Sequence, residues 1–72
     1  MSERRGHHRE AVARHEQAAE SHDRAAGFWD QQGDNERAQL QRELAEYERR
    51  GADLERRWAE LEERDHPAGS GS

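Results

Sequence analysis

The chain has 72 residues, 40% of them charged and 29% hydrophobic, with a net charge of −5 at pH 7. That length allows one domain at most, with a marginal core. The acidic balance argues against a nucleic-acid binder, which needs a concentrated basic face, and the absence of cysteine excludes disulfides and thiolate metal sites.

Taken alone, this composition favours disorder. The order in which the apolar residues occur points the other way, because nearly all the large ones fall on helical stripes. Residues 1–6 are charged and end in Gly6. A frayed N-terminus is expected there, with Ser2 available as an N-cap for an early helix start. No apolar run approaches the length of a membrane span, and the opening MSERRGHHRE lacks the apolar stretch of a secretory signal. The expected location is the cytoplasm, with neither nucleic acid nor membrane as partner. All twelve basic residues are Arg, a usage that points to a GC-rich, bacterial genome.

A first helix is predicted over about 7–32. From His8 onward one seven-residue unit recurs: HREAVAR, HEQAAES, HDRAAGF and WDQQGDN. It sets His8, His15, His22 and Trp29 on one row and Val12, Ala19 and Ala26 on a second. Ala11, Ala18 and Ala25 lie alongside. Alternating three- and four-residue spacing is the pattern of a helix that packs on another helix. Here histidines occupy a row where leucines are usual.

The break is predicted at 33–35. Gly33 suits the left-handed residue that ends a helix. Asp34 suits the N-cap of the next, with Glu36 in its first turn near the positive end of the dipole. So short a connection turns the second helix back antiparallel to the first. The run GDNERA, preceded by Ala26 and Trp29, resembles the internal turn of a tetratricopeptide repeat. The resemblance covers about one turn. The second helix is about twice as long as that family's, and no second copy follows, so the likeness implies a hairpin and nothing more.

The second helix is predicted over about 35–65. It too is sevenfold: AQLQREL, AEYERRG, ADLERRW and AELEERD. Leu40, Tyr47, Leu54 and Leu61 form one row, and Leu44, Gly51 and Trp58 the other. Ala38, Ala45, Ala52 and Ala59 are expected outside this seam. Glu46–Arg50, Asp53–Arg57 and Glu60–Arg64 have the acid-before-base spacing that adds about 0.3–0.5 kcal/mol each on an exposed helix. Pro67 stops the helix, and residues 67–72 are expected to form a flexible tail.

Folding the two helices about Asp34 pairs Trp29 with Leu40, Ala26 with Leu44, and His22 with Tyr47. It then pairs Ala19 with Gly51, His15 with Leu54, Val12 with Trp58, and His8 with Leu61. Glu48 and Glu55 would face Asp23 and Glu16, a mild repulsion. Copies of the second helix laid parallel would instead pair Arg50 with Glu55 and Arg57 with Glu62.

The histidines are the only candidates for chemistry. The plainest reading is a half-buried, hydrogen-bonded row, with His22 bonded to Tyr47. Rings sealed in an apolar seam would resist protonation, so acid would expel them and loosen the assembly. Metal binding is disfavoured. Successive row members stand about 10.5 Å apart, too far for one ion, and the row lacks chelate spacing. The residues that could bind a metal are His7, His8, His15 and His22. Phe28 lies off the seam, as a cap on the hairpin end or a contact for another chain. No nucleophile–base arrangement, phosphate-cradling loop or pocket-sized core is present, so no enzyme and no cofactor is expected.

The fold class expected is all-α: an antiparallel two-helix hairpin with coiled-coil-like heptads, assembling into a four-helix bundle or larger homo-oligomer. The expected function is a non-enzymatic interaction or self-assembly module. Its partner is itself or a larger protein. Its interface is Val12, His15, Ala19, His22, Ala26, Trp29, Leu40, Leu44, Tyr47, Gly51, Leu54, Trp58 and Leu61. The alternatives are a histidine-rich metal-binding or pH-responsive bundle, and an antitoxin- or inhibitor-like peptide that folds on a larger partner.

Overall fold

The computed structural model describes residues 2–65, with side chains described from residue 7 onward. Two helices account for nearly all of it, α1 over Ser2–Gln31 and α2 over Asn35–Asp65, packed against each other as an antiparallel hairpin. The expected tail at 67–72 lies outside the described residues. α1 begins ahead of the start expected near residue 7. The stretch contains no proline and one glycine, so nothing in its backbone chemistry stops the helix there.

The turn is built as its sequence dictates. Gly33 has φ 78°, a conformation that costs glycine little and other residues more. Its N–H donates to Asp30 O at 3.0 Å, and the Asp34 N–H reaches back to Trp29 O at 2.9 Å. This pair of bonds is the Schellman closure of a helix C-terminus. Asp34 then caps α2, accepting the Arg37 backbone N–H at 2.9 Å, while its other oxygen pairs with the Arg37 guanidinium. The same guanidinium lies 5.2 Å from the centre of the Trp29 ring, a cation–π contact that ties the start of α2 to the end of α1.

The Arg37 amide, followed by its guanidinium, holds the Asp34 carboxyl below its ordinary 3.8. A carboxyl whose folded value is depressed contributes stability above its unfolded value and loses it as pH falls through the folded one. Asp34→Ala at neutral pH should therefore fray the first turn of α2, read as loss of helical chemical shifts over 35–38. Wild type should show the same local change when acidified below about pH 3.8. Unchanged shifts in the variant would remove the cap from the account.

The interior of the hairpin is made of alanine. The buried hydrophobic residues are Ala19, Ala26, Ala38, Ala45, Ala52 and Ala59, with Ala38 and Ala45 fully enclosed at 0% exposure. α1 presents the face read from its sequence: Ala19 and Ala26 are buried, and His8, Val12, His15, His22 and Trp29 are half-buried. α2 does not. Its inner row is the alanine row expected outside the seam. The row expected inside points outward, with Leu40 58%, Tyr47 70%, Leu54 54%, Trp58 54%, Leu61 42% and Leu44 37% exposed. The pairings of Trp29 with Leu40, His15 with Leu54 and His8 with Leu61 are thus replaced.

The physical reason lies in α1. A row of imidazoles needs small neighbours for its rings and polar partners for its nitrogens. The stripe of α2 made of Ala38, Gln41, Ala45, Glu48, Ala52, Glu55, Ala59 and Glu62 supplies both. The leucine stripe offers one small residue, Gly51, and no carboxylate or amide.

Candidate interaction surface

Two ladders lock the hairpin's register, each stepping by seven residues up α1 and down α2. In the first, the Nδ1 of His8 lies 2.5 Å from Glu55 Oε1, that of His15 lies 2.6 Å from Glu48 Oε1, and that of His22 lies 2.7 Å from Gln41 Oε1. An ionised carboxylate only accepts, so Nδ1 carries the proton at His8 and His15. The second ladder pairs Arg9 with Glu63, Glu16 with Arg56, Asp23 with Arg49, and Asp30 with Arg42. These pairs are exposed, and each is worth about 0.2–1 kcal/mol at most. A slip of one residue would break all of them together, so they act on register more than on stability.

The ladders correct two expectations. Glu48 and Glu55 do not face Asp23 and Glu16; they face imidazoles, and the two α1 acids are taken by Arg49 and Arg56. His22 bonds to Gln41, not to Tyr47. An imidazolium at His8 would lie against Glu55 and Glu62, and one at His15 against Glu48. Acid-driven expulsion of these rings presupposed hydrocarbon around them, and this packing puts carboxylates there instead.

Further along the same edge, the His8 ring sits tilted against Trp58 with centroids 5.8 Å apart, and the His15 ring lies directly over Gly51. Gly51 therefore meets an imidazole, not Ala19. The histidine row borders the outward stripe of α2 and shelters its Leu44–Gly51–Trp58 side.

Three of the four metal candidates, His8, His15 and His22, stay a heptad apart, each engaged with its own partner on α2. His7 is exposed. Among the described residues, no group of three or more histidines and acids is placed to hold an ion. Phe28 is 52% exposed and packs edge-on against Trp29, with ring centroids 5.0 Å apart at 76°. The surface concavities are open grooves, such as the one between Arg9, Val12 and Glu16 of α1 and Arg56 and Glu63 of α2.

What remains as a surface with recognition potential is the outward stripe of α2. Leu40, Leu44, Tyr47, Leu54, Trp58 and Leu61 repeat at the alternating four- and three-residue spacing of a coiled-coil seam, and α1 buries none of them. At 150–250 Å² for a whole ring, the exposed parts of Tyr47 and Trp58 alone leave roughly 250 Å² of aromatic surface in water. Four leucines extend it along the helix. A monomer rarely shows a contiguous apolar patch beyond a few hundred Å².

Its edges are charged in opposite senses. Glu48, Glu55 and Glu62 border the side facing α1, and Arg50, Arg57 and Arg64 border the other. Of the acid-before-base pairs expected within α2, Asp53–Arg57 forms at 3.3 Å. Arg50 and Arg64 have no carboxylate partner among the described residues. The stripe was legible as a seam in the sequence; that it faces away from α1 was not. The available signal was the Gln41, Glu48, Glu55 and Glu62 row, spaced to meet the histidines.

No helix among the described residues is long and apolar enough to cross a membrane. No known protein family, curated protein or solved structure matches the chain.

Proposed function

We propose that this chain is a non-enzymatic helical interaction module whose working surface is the outward stripe of α2. One observation carries the reading. Six large apolar side chains at coiled-coil spacing stand 37–70% exposed, while the hairpin's own interior holds only alanines. A helix pair with so lean an interior gains stability by mass action when a second surface covers the stripe. The ladders and the capped turn hold α2 in register with α1, which makes the stripe a preformed recognition element.

Sedimentation velocity on the purified chain tests this. Wild type is expected to sediment above the monomer mass, with a melting temperature that rises with protein concentration. Leu54→Glu and, separately, Tyr47→Glu should shift the chain toward monomer while it remains helical, because both positions are exposed in the hairpin. A wild-type chain that stays monomeric and fully helical across high micromolar concentrations would refute the reading. A chain that is monomeric and largely unfolded alone would favour a larger protein as the covering surface.

A further inference from the structure

The geometry points to the occupant of the stripe: the same stripe of a second copy, laid parallel and in register. Leu40, Leu44, Tyr47, Leu54, Trp58 and Leu61 then meet their own counterparts, and Arg50 and Arg57 of each copy reach Glu55 and Glu62 of the other. This rests on the association reading above and names the partner within it.

The rest of the hairpin offers nothing else to cover the stripe. From residue 7 onward the outward positions of α1 are polar apart from Ala13, Gly27 and Phe28, so among the described residues the apolar surface a second copy can offer the leucines is its own α2. There is room for it to do so. α1 sits on the alanine and glutamate rows, about 100° around α2 from the stripe at 100° per residue. A neighbour on the stripe therefore stands beside α1 rather than in its place.

The edge charges select the orientation. In a parallel pair the two opposite edges of the stripe meet across the interface. Arg50 faces Glu55 and Arg57 faces Glu62, each twice by symmetry. Glu43 against Glu48 is the one adverse pair in the pattern. In an antiparallel pair each edge meets its own kind, so Glu48 and Glu55 would crowd together on one side and Arg50 and Arg57 on the other.

Of the groups concerned, Arg57 has an exposed pairing with Asp53 at 3.3 Å within its own helix, a contact weak enough to exchange. The second arginine row of α2, Arg42, Arg49 and Arg56, is committed to acids of α1, whereas Arg50 and Arg64 have no carboxylate among the described residues. Glu55 gives only Oε1 to His8. Glu62 Oε1 is shielded from water and has no hydrogen-bond donor, with His8 Nε2 3.6 Å away.

The chain has no cysteine, so single introduced thiols report the orientation. Leu40→Cys and Leu61→Cys lie at opposite ends of the stripe. In the parallel pair each faces itself, and mild oxidation of either variant should yield a disulfide-linked dimer on a non-reducing gel. In an antiparallel pair the two ends lie tens of ångströms apart and neither variant cross-links. A second arm reads the charges: Arg50→Glu/Arg57→Glu should weaken self-association roughly tenfold at low salt, with the gap closing as salt is raised. Reduced thiol variants that still sediment as dimers but fail to cross-link would overturn the parallel pairing and leave the association reading standing. So would a charge variant that associates as tightly as wild type. A wild type that stays monomeric and fully helical would overturn both, and one that is monomeric and largely unfolded would overturn the parallel pairing alone.

Discussion

Enlarging Ala45 to leucine is expected to lower the hairpin's stability by about 1–3 kcal/mol, or about 4–8 °C in melting temperature for each kcal/mol in a domain of this size. Ala45 is fully enclosed, in the middle of the row that α2 turns toward α1. Its neighbours across the interface belong to the His15–His22 stretch of α1. The rings there are already held by Glu48 and Gln41 at 2.6 and 2.7 Å. A leucine side chain must push the helices apart or displace the rings, and either change strains both ladders together. Leucine is also nearly as good a helix former as alanine, so the loss cannot be assigned to propensity. Ala13→Leu, the same exchange on the exposed side of α1, should stay within about 0.5 kcal/mol of wild type. Melting temperatures at one fixed protein concentration decide the matter. If Ala45→Leu melts no lower than Ala13→Leu, the alanine row is not the inner one, and the leucine row takes its place.

That comparison also marks where the sequence was readable and where it was not. Both helices, the antiparallel turn and the inner face of α1 follow from local rules. Gly33 ends one helix, Asp34 starts the next, and only one stripe of α1 is apolar. α2 is different because it carries two sevenfold stripes about 100° apart, one of leucines and aromatics and one of alanines and acids. Hydrophobicity ranks the leucine stripe first and assigns it to the interior. The deciding quantity is the match to the other helix. His8 and His15 require carboxylates and His22 a carbonyl, and the acids of α1 at 16, 23 and 30 require Arg56, Arg49 and Arg42. Only the alanine side of α2 satisfies both rows at once. Periodicity within one helix shows which residues share a face. It takes pairwise chemistry between helices to show which face turns inward. The large apolar residues of α2 are therefore legible in the sequence as one set, whereas their outward direction depends on the partner helix.

Replacing Gly51 by alanine should change sign with the residue at position 15. In a helix interior this exchange ordinarily gains about 0.8–1 kcal/mol. At Gly51 the added methyl would stand 2.9 Å from His15 Cε1, 3.0 Å from Nδ1 and 3.1 Å from Nε2, closer than non-bonded atoms tolerate. The ring cannot swing away freely, because its Nδ1 donates to Glu48 at 2.6 Å. Moving it breaks a hydrogen bond to a charged acceptor, and since both side chains are partly exposed the loss is discounted to about 1–2 kcal/mol. The two effects roughly cancel or leave a net loss, so Gly51→Ala in the wild-type background should be neutral to destabilising by about 1 kcal/mol. In a His15→Ala background the obstruction is gone, and the same exchange should stabilise by about 1 kcal/mol. Gly27→Ala, where nothing lies within 4 Å of the added carbon, supplies the reference gain. A double-mutant cycle over positions 15 and 51, read by denaturant unfolding, should therefore give a coupling of about 1–2 kcal/mol. Equal gains in both backgrounds would mean that the imidazole does not rest on the glycine, and the histidine row would have to be moved off the edge of the stripe.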